Sequence, residues 1–342
     1  MVTSINKKIV KKLADYVALN SCASNSSGLY NGKAGMSLAL FEAANVLQCE
    51  YLEEQAFELL QETLLTRTQD ISFENGLSGI GYALAYLINN RLVDADFDEL
   101  FGEKMDVILD ETAIQMERLR NGGNLHSLKQ IYFLHYFDSA ICTIDKFQTI
   151  KGTLFTLYAD RLEHQLEEMD DSKSDCCLQK TGIMQYFKEY TEIAAHCIDM
   201  PVSIDLLEHF AKQYQQGLWN NDFFIGHSLN RIAERVHHTT LKEIAGECMR
   251  ISLLNIKPQK MILPELVDFL FRPMKEESYC SRSKQIKQWL FTPNERYLTA
   301  RLKYSLPALY PKAGYKSGIA RLLLLMVNEL TKGIHSERLY PL

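Results

Sequence analysis

The chain has 342 residues, 46% of them hydrophobic and 23% charged, with a net charge of −6. That is enough apolar material for a sizeable core, which excludes a disordered chain and a disulfide-dependent mini-fold. The acidic balance argues against a general nucleic-acid or anionic-membrane binder, which needs a basic surplus, and no apolar run reaches the ~18 residues of a membrane helix.

Residues 1–20, MVTSINKKIVKKLADYVALN, read as an amphipathic helix with Lys7, Lys8, Lys11 and Lys12 on its solvated face. They lack the apolar stretch and cleavage site of a signal peptide. Met36, Ala39, Leu40, Ala43 and Leu47 form one helical stripe, and Leu52, Ala56, Leu59, Leu60 and Leu64 another. The charged segment 94–118 has the character of an outer helix. His126 and His135 stand nine apart, so on one helix they face opposite sides and are no metal pair. The acidic run Glu163 to Asp175 reads as a solvated helix end and loop, or else a docking surface for a basic peptide. His237 and His238 follow Arg235 at a helix end, where cations meet the favourable end of the dipole. None of the eight prolines precedes Pro201, and six fall between Pro258 and Pro311, so the first two hundred residues suit uninterrupted helices. Strand-like alternation is missing, and the expected fold is all-α. Eight irregularly spaced cysteines form no disulfide framework and suit a reducing cytoplasm.

The sequence also repeats itself. Asn31-Gly32-Lys33-Ala34-Gly35-Met36-Ser37-Leu38-Ala39-Leu40 lines up with Asn75-Gly76-Leu77-Ser78-Gly79-Ile80-Gly81-Tyr82-Ala83-Leu84, at an offset of 44 residues. Weaker echoes run from Asn124 to Leu134, Leu178 to Phe187 around Gly182, Trp219 to Ile232 around Gly226, Leu263 to Phe271, and Ala313 to Leu324 with Gly314 and Gly318. That makes about seven units of roughly 49 residues, each long enough for two helices and two turns. Each glycine should open a helix, supplying positive φ or room for crowded helix ends. The expected architecture is a single domain over 1–342, an α/α toroid of about seven inner and seven outer helices, with an open solenoid of helical hairpins as the alternative.

SGLYNGKAGMSLALFEAA, SFENGLSGIGYALAYLINN and the closing LYPKAGYKSGIARLLLLMV resemble the first two repeats and the last repeat of the lanthionine synthetase C-like family. The resemblance is clear over residues 25–90 and fainter over the rest. It implies an α/α toroid with zinc at the ring mouth, where a precursor-peptide thiolate adds to a dehydrated residue to form a thioether. Zinc would generate the thiolate at neutral pH, and an acid would protonate the enolate. Carried over by position, Asn124 stands where the family has an Asp, and Thr181 where it has a His before Gly182. Gln216 replaces an Arg, Asn220 the first zinc-binding Cys, and Asn221 a Tyr, while Trp219 is kept. The Cys-His-Gly that supplies the other two ligands occurs nowhere; the matching stretch is Ile262-Leu263-Pro264-Glu265. The resemblance therefore implies a catalytically retired cyclase, with no cofactor expected, that binds a peptide or a partner peptide-modifying enzyme. His126, Thr181, Trp219, Asn220 and Asp222 would line its cavity.

Two other readings stay open. Cys176, Cys177, His196 or Cys197 could form a relocated zinc site in an active cyclase. Alternatively, Asp222 and Glu265 could face each other across an α/α-barrel carbohydrate enzyme, which needs two carboxylates. Against the first, adjacent cysteines are poor partners for one tetrahedral metal, and buried turn cysteines are ordinary.

Overall fold

A computed structural model of the chain describes residues 7–141, 147–171, 177–257, 261, 263–272, 277–290 and 318–331. Among them the backbone forms fourteen α-helices, one 3-10 turn at Ser21–Ala23 and no strand, as the all-α expectation requires. The helices are α1 Lys7–Asn20, α2 Lys33–Leu47, α3 Glu50–Leu64, α4 Leu77–Asn89, α5 Phe97–Arg120, α6 Gln130–Ala140, α7 Gln148–Asp171, α8 Cys177–His196, α9 Ile204–Gln215, α10 Phe223–Val236, α11 Thr239–Asn255, α12 Leu263–Phe271, α13 Glu277–Leu290 and α14 Ile319–Leu330. The chain divides into two compact units, Met1–Met105 with Ile256–Leu342, and Asp106–Asn255.

In the first unit, helices buried on every side alternate with helices buried on one. α2 buries all residues from Ala34 to Ala44, α4 all from Leu77 to Leu87, and α14 all from Ile319 to Asn328. The stripe expected in α2 is thus a whole cylinder, and Leu47 is only half-buried. α1 and α3 keep a single stripe: Val10, Leu13, Ala14, Val17 and Ala18 in one, Leu52, Ala56, Leu59, Leu60 and Thr63 in the other. Thr63 is buried where Leu64 was expected, its hydroxyl donating to the Leu59 and Leu60 carbonyls. Lys33 pairs with Glu62, and the Ser37 hydroxyl donates to the Ala56 carbonyl at 2.7 Å, so α3 runs antiparallel to α2. The Tyr30 amide donates to the Glu74 carbonyl, and the Tyr86 hydroxyl to the buried Glu42 carboxylate 44 residues away. The sequence offset is therefore a parallel pairing of α2 with α4. α14 packs against α1 and α2, bringing residues 319–330 onto the start of the described chain.

Gly32, Gly76 and Gly318 are the N-cap residues of α2, α4 and α14, all with extended backbone near φ −119°, −109° and −133°. The expected positive φ is not used at these positions; at Gly32 and Gly76 close approach is the reason for glycine. A Cβ on Gly76 would lie 2.1 Å from the Asp70 carbonyl oxygen, and one on Gly32 would lie 2.4 Å from the Gly28 carbonyl oxygen.

In the second unit, residue pairs climb α6 and α8 together. The Glu189 carboxylate meets the Leu128 amide, Tyr132 meets His196, and His135 meets Asp199. The same holds for α8 and α10, from Lys188–Asp222 to Ala194–Arg235. α6, α8 and α10 are therefore parallel. α7 runs the other way, from Lys151 beside Asp138 to Arg161 donating to the Gly123 carbonyl. α8 starts at Cys177, so Gly182 lies inside it facing open space, and does not open the helix as expected.

Candidate functional site

The sequence resemblance would place catalytic chemistry at Asn124 before α6, at Thr181 within α8, at residues 216–222 before α10 and at residues 262–265, of which Ile262 lies outside the described residues. Before α6, Leu125 and Leu128 are buried and anchor the loop. Glu189, itself buried, accepts from the Leu128 amide and from the Ser127 hydroxyl (3.2 Å), and lies 3.8 Å from the Lys129 ammonium. Satisfying these groups fixes the loop and leaves Asn124 and His126 exposed. His126 precedes α6, so it does not share a helix with His135.

Before α10, Gln216 and Gly217 form a turn, Gly217 taking φ +76°. Trp219 folds inward: its indole N–H donates to the Gln213 side-chain oxygen at 2.9 Å, and its ring stacks on Phe210 at 6.0 Å. Gln216, Asn220 and Asn221 are exposed, and the Asn221 oxygen accepts from the Tyr214 hydroxyl. Asp222 is the N-cap of α10. Its Oδ1 accepts from the Phe224 (2.7 Å) and Ile225 (3.1 Å) amides, and Oδ2 faces the Lys188 ammonium at 3.3 Å. Its carboxylate is thus engaged in capping and pairing. Glu265, its partner in the carbohydrate-enzyme reading, is exposed in the first turn of α12.

Three residues at these entrances were not singled out from sequence. Lys188 and Glu189 stand level with Asp222 and Leu128, whereas Thr181 is exposed about two turns nearer the start of α8. Cys248, from α11, packs behind the Asp222 backbone, accepting from its amide and donating to its carbonyl. Burial pushes the Cys248 thiol up, which keeps it protonated, and burial first, then Cys248 and Glu247, push the Tyr214 hydroxyl up to about 12. Lys188 and Glu189 are two of several polar residues along α8, so nothing in the sequence marked them out. Nor did anything mark Cys248 in α11.

Of the relocated-ligand candidates, His196 and Cys197 lie at the other ends of the parallel helices. His196 ends α8, edge-on to Tyr132 and near His135, with ring centroids 5.7 and 6.3 Å apart. Burial first, then the charges of His135 and Arg231, push its imidazole down to about 3. The buried Cys197 thiol is pushed far up by burial and then by Asp199. Cys176 lies outside the described residues; Cys177 opens α8. Around His196 the structure gathers an ion network. The fully buried Lys151 ammonium lies 2.8 Å from Asp138 and 3.5 Å from Asp199, and Asp199 pairs with His135 at 3.0 Å. Arg235 closes it, donating to the Ala194 carbonyl at 2.8 Å. His237 ends α10 in a left-handed turn at φ +55°, while His238 Nδ1 accepts from the Leu241 amide and so caps the next helix, α11.

Among the described residues, Glu163, Glu167 and His209 are the group of three His, Cys, Asp or Glu residues whose donor atoms all come within 4.8 Å of one another. In the first unit a cavity of about 330 Å³ opens beside Phe41, Asn45, Cys49, Glu53 and Arg91. No described helix is long and apolar enough to cross a membrane. No family model matches the chain, and no curated protein matches it.

Proposed function

We propose that this chain is a divergent lanthionine synthetase C-like protein that binds a peptide, or a partner peptide-modifying enzyme, without performing the cyclisation. In this reading the helix pairs close into a toroid whose mouth lies at the starts of the buried helices. The glycine-capped, 44-residue-spaced pair α2 and α4, and the return of α14 onto α1 and α2, support it.

The observation that carries the proposal is the α10 entrance. Gln216, Asn220 and Asn221 present neutral, exposed amides where zinc chemistry needs a cation, a thiolate and an acid. Neutral amides both donate and accept, which suits an extended peptide backbone. Free thiols at Cys22, Cys49, Cys197, Cys248 and Cys280 fit a cytoplasmic setting.

The test uses the whole protein and a peptide carrying one Cys and one dehydroalanine. Thioether formation leaves the mass unchanged, so the readout is the number of alkylatable peptide thiols, beside binding by calorimetry. Binding with the thiol retained is expected. Loss of the thiol with added zinc, or no binding by any such peptide or partner enzyme, would overturn the proposal.

A further inference from the structure

The Glu163–Glu167–His209 group lies on α7 and α9, outside the helix entrances. Glu163 and Glu167 are one helical turn apart and share a face of α7. His209 reaches them from α9, and Asp160 and Asp205 also face Glu163. The crowding is electrostatic: burial first, then Asp205 and Glu167, push the Glu163 carboxyl above its ordinary range. Two carboxylates and an imidazole are the donor set that suits a borderline divalent ion such as zinc, with water filling the remaining positions.

His209 is also wired inward. Its Nε2 lies 3.0 Å from the Gln213 amide nitrogen, and the Gln213 oxygen accepts from the Trp219 indole at 2.9 Å. An indole only donates, so it fixes the carboxamide with its oxygen toward Trp219 and its NH₂ toward His209. Nε2 must then be the accepting nitrogen and Nδ1 the one carrying the proton. A cation on His209 breaks this arrangement whichever nitrogen it takes. On Nε2 it removes the lone pair that receives the Gln213 NH₂. On Nδ1 it moves the ring proton to Nε2, where two donors then face each other. In both cases the Gln213 carboxamide must turn, and the Trp219 N–H loses its acceptor.

We propose that Glu163, Glu167 and His209 form a zinc-class divalent-cation site, and that Gln213 transmits its occupancy to Trp219 at the α10 entrance. This site does not depend on the peptide-binding reading, and its test reads metal without peptide, so either proposal can fail alone.

The sequence holds two tryptophans, Trp219 and Trp289. In the full-length Trp289→Phe protein, Trp219 is the only indole, and zinc chloride is titrated at constant pH while its emission is followed. A saturable change at one zinc per chain is expected. The Glu163→Gln/Glu167→Gln double variant, altered only at half-buried or exposed side chains, should lose it, as should His209→Gln. Gln213→Met should keep zinc binding by calorimetry while Trp219 stops responding. Calorimetry on the wild type against the double variant decides the site if Gln213→Met does not fold. No saturable zinc binding, or binding unchanged in the double variant, would overturn the site. A Trp219 response to acid but not to zinc would overturn the metal assignment, and a zinc response surviving Gln213→Met would overturn the relay.

Discussion

In the first unit, α2, α4 and α14 start on glycines, and at Gly32 and Gly76 backbone from the preceding loop passes where a Cβ would be. In the second unit, α6 and α10 start behind polar loops, held by Glu189 in one case and capped by Asp222 in the other. The first arrangement buries largely apolar cylinders whose charges sit within the helices, Glu42 of α2 against Tyr86 and Arg321 of α14 against Asp268. The second carries Glu189 and the Lys151–Asp138 pair in its interior. Close packing without Cβ is cheap but admits almost no substitution. Charge-held entrances admit varied side chains, provided each buried charge keeps its partner. A fold of this kind can therefore change its surface residues around α6 and α10 while the starts of α2 and α4 stay fixed, and the exposed positions Asn124, Gln216, Asn220 and Asn221 fall in the permissive half.

The sharpest way to break this comparison is at Lys151. Lys151→Met leaves Asp138 buried opposite an apolar chain, and removing one partner of a buried pair costs about 3–5 kcal/mol. Urea unfolding of the intact chain should show that loss. The double variant Lys151→Met/Asp138→Leu should recover most of it, because no charge is then left unpaired. If the single variant unfolds like the wild type, the ion network does not hold the second unit.

In the first unit the corresponding break is Gly76→Ala. The added Cβ, 2.1 Å from a carbonyl oxygen, can be relieved only by moving backbone. A loss of about 3 kcal/mol is expected, at the upper end of overpacking costs. A urea midpoint within error of the wild type would mean that the α4 entrance is not close-packed.

His196 gives the second unit a pH signature. Its folded value, about 3, lies below the ordinary value of 6.5. The unfolded chain therefore binds the proton more readily than the fold does. Stability is full above pH 6.5 and falls as the pH drops toward 3, by up to about 1.4 kcal/mol per unit from this group. Between pH 6.5 and 5, above the main carboxylate range, roughly 2 kcal/mol should be lost, and His196→Phe should flatten the slope. An unchanged slope in the variant would place the pH dependence elsewhere.

Much of the first unit was legible in the sequence. Glycine has no side chain to disguise its purpose, so a fixed N-G-x-x-G spacing reports a repeated close approach, and that spacing returned as the α2–α4 pairing. Helix identity, the amphipathic character of α1 and most of the α3 stripe followed from apolar period, with Thr63 buried in place of Leu64. The second unit was less legible because its organising groups follow no period. Asp138, Lys151 and Asp199 come from two helices and a turn, and nothing local marks them as partners. Asp222, directly before Phe223-Phe224-Ile225, also carries an N-cap signal, and it caps α10. Gly182 was read as a helix opener by analogy with Gly32, but no backbone crowds it.

Gly182 supplies the smallest and most discriminating prediction. It lies within α8, a full turn from either end, and a Cβ there would meet no atom within 4 Å. Glycine in that setting only adds freedom to the unfolded chain, so Gly182→Ala should stabilise the protein by about 0.5–1 kcal/mol. The same substitution at Gly76 is expected to destabilise it. Opposite signs for one chemical change, measured by urea midpoint under one set of conditions, would show that glycine at the α4 entrance answers to backbone contact and glycine in α8 does not. Equal signs would mean that both glycines serve the same purpose, and the distinction drawn here between the two units would fail at its most local point.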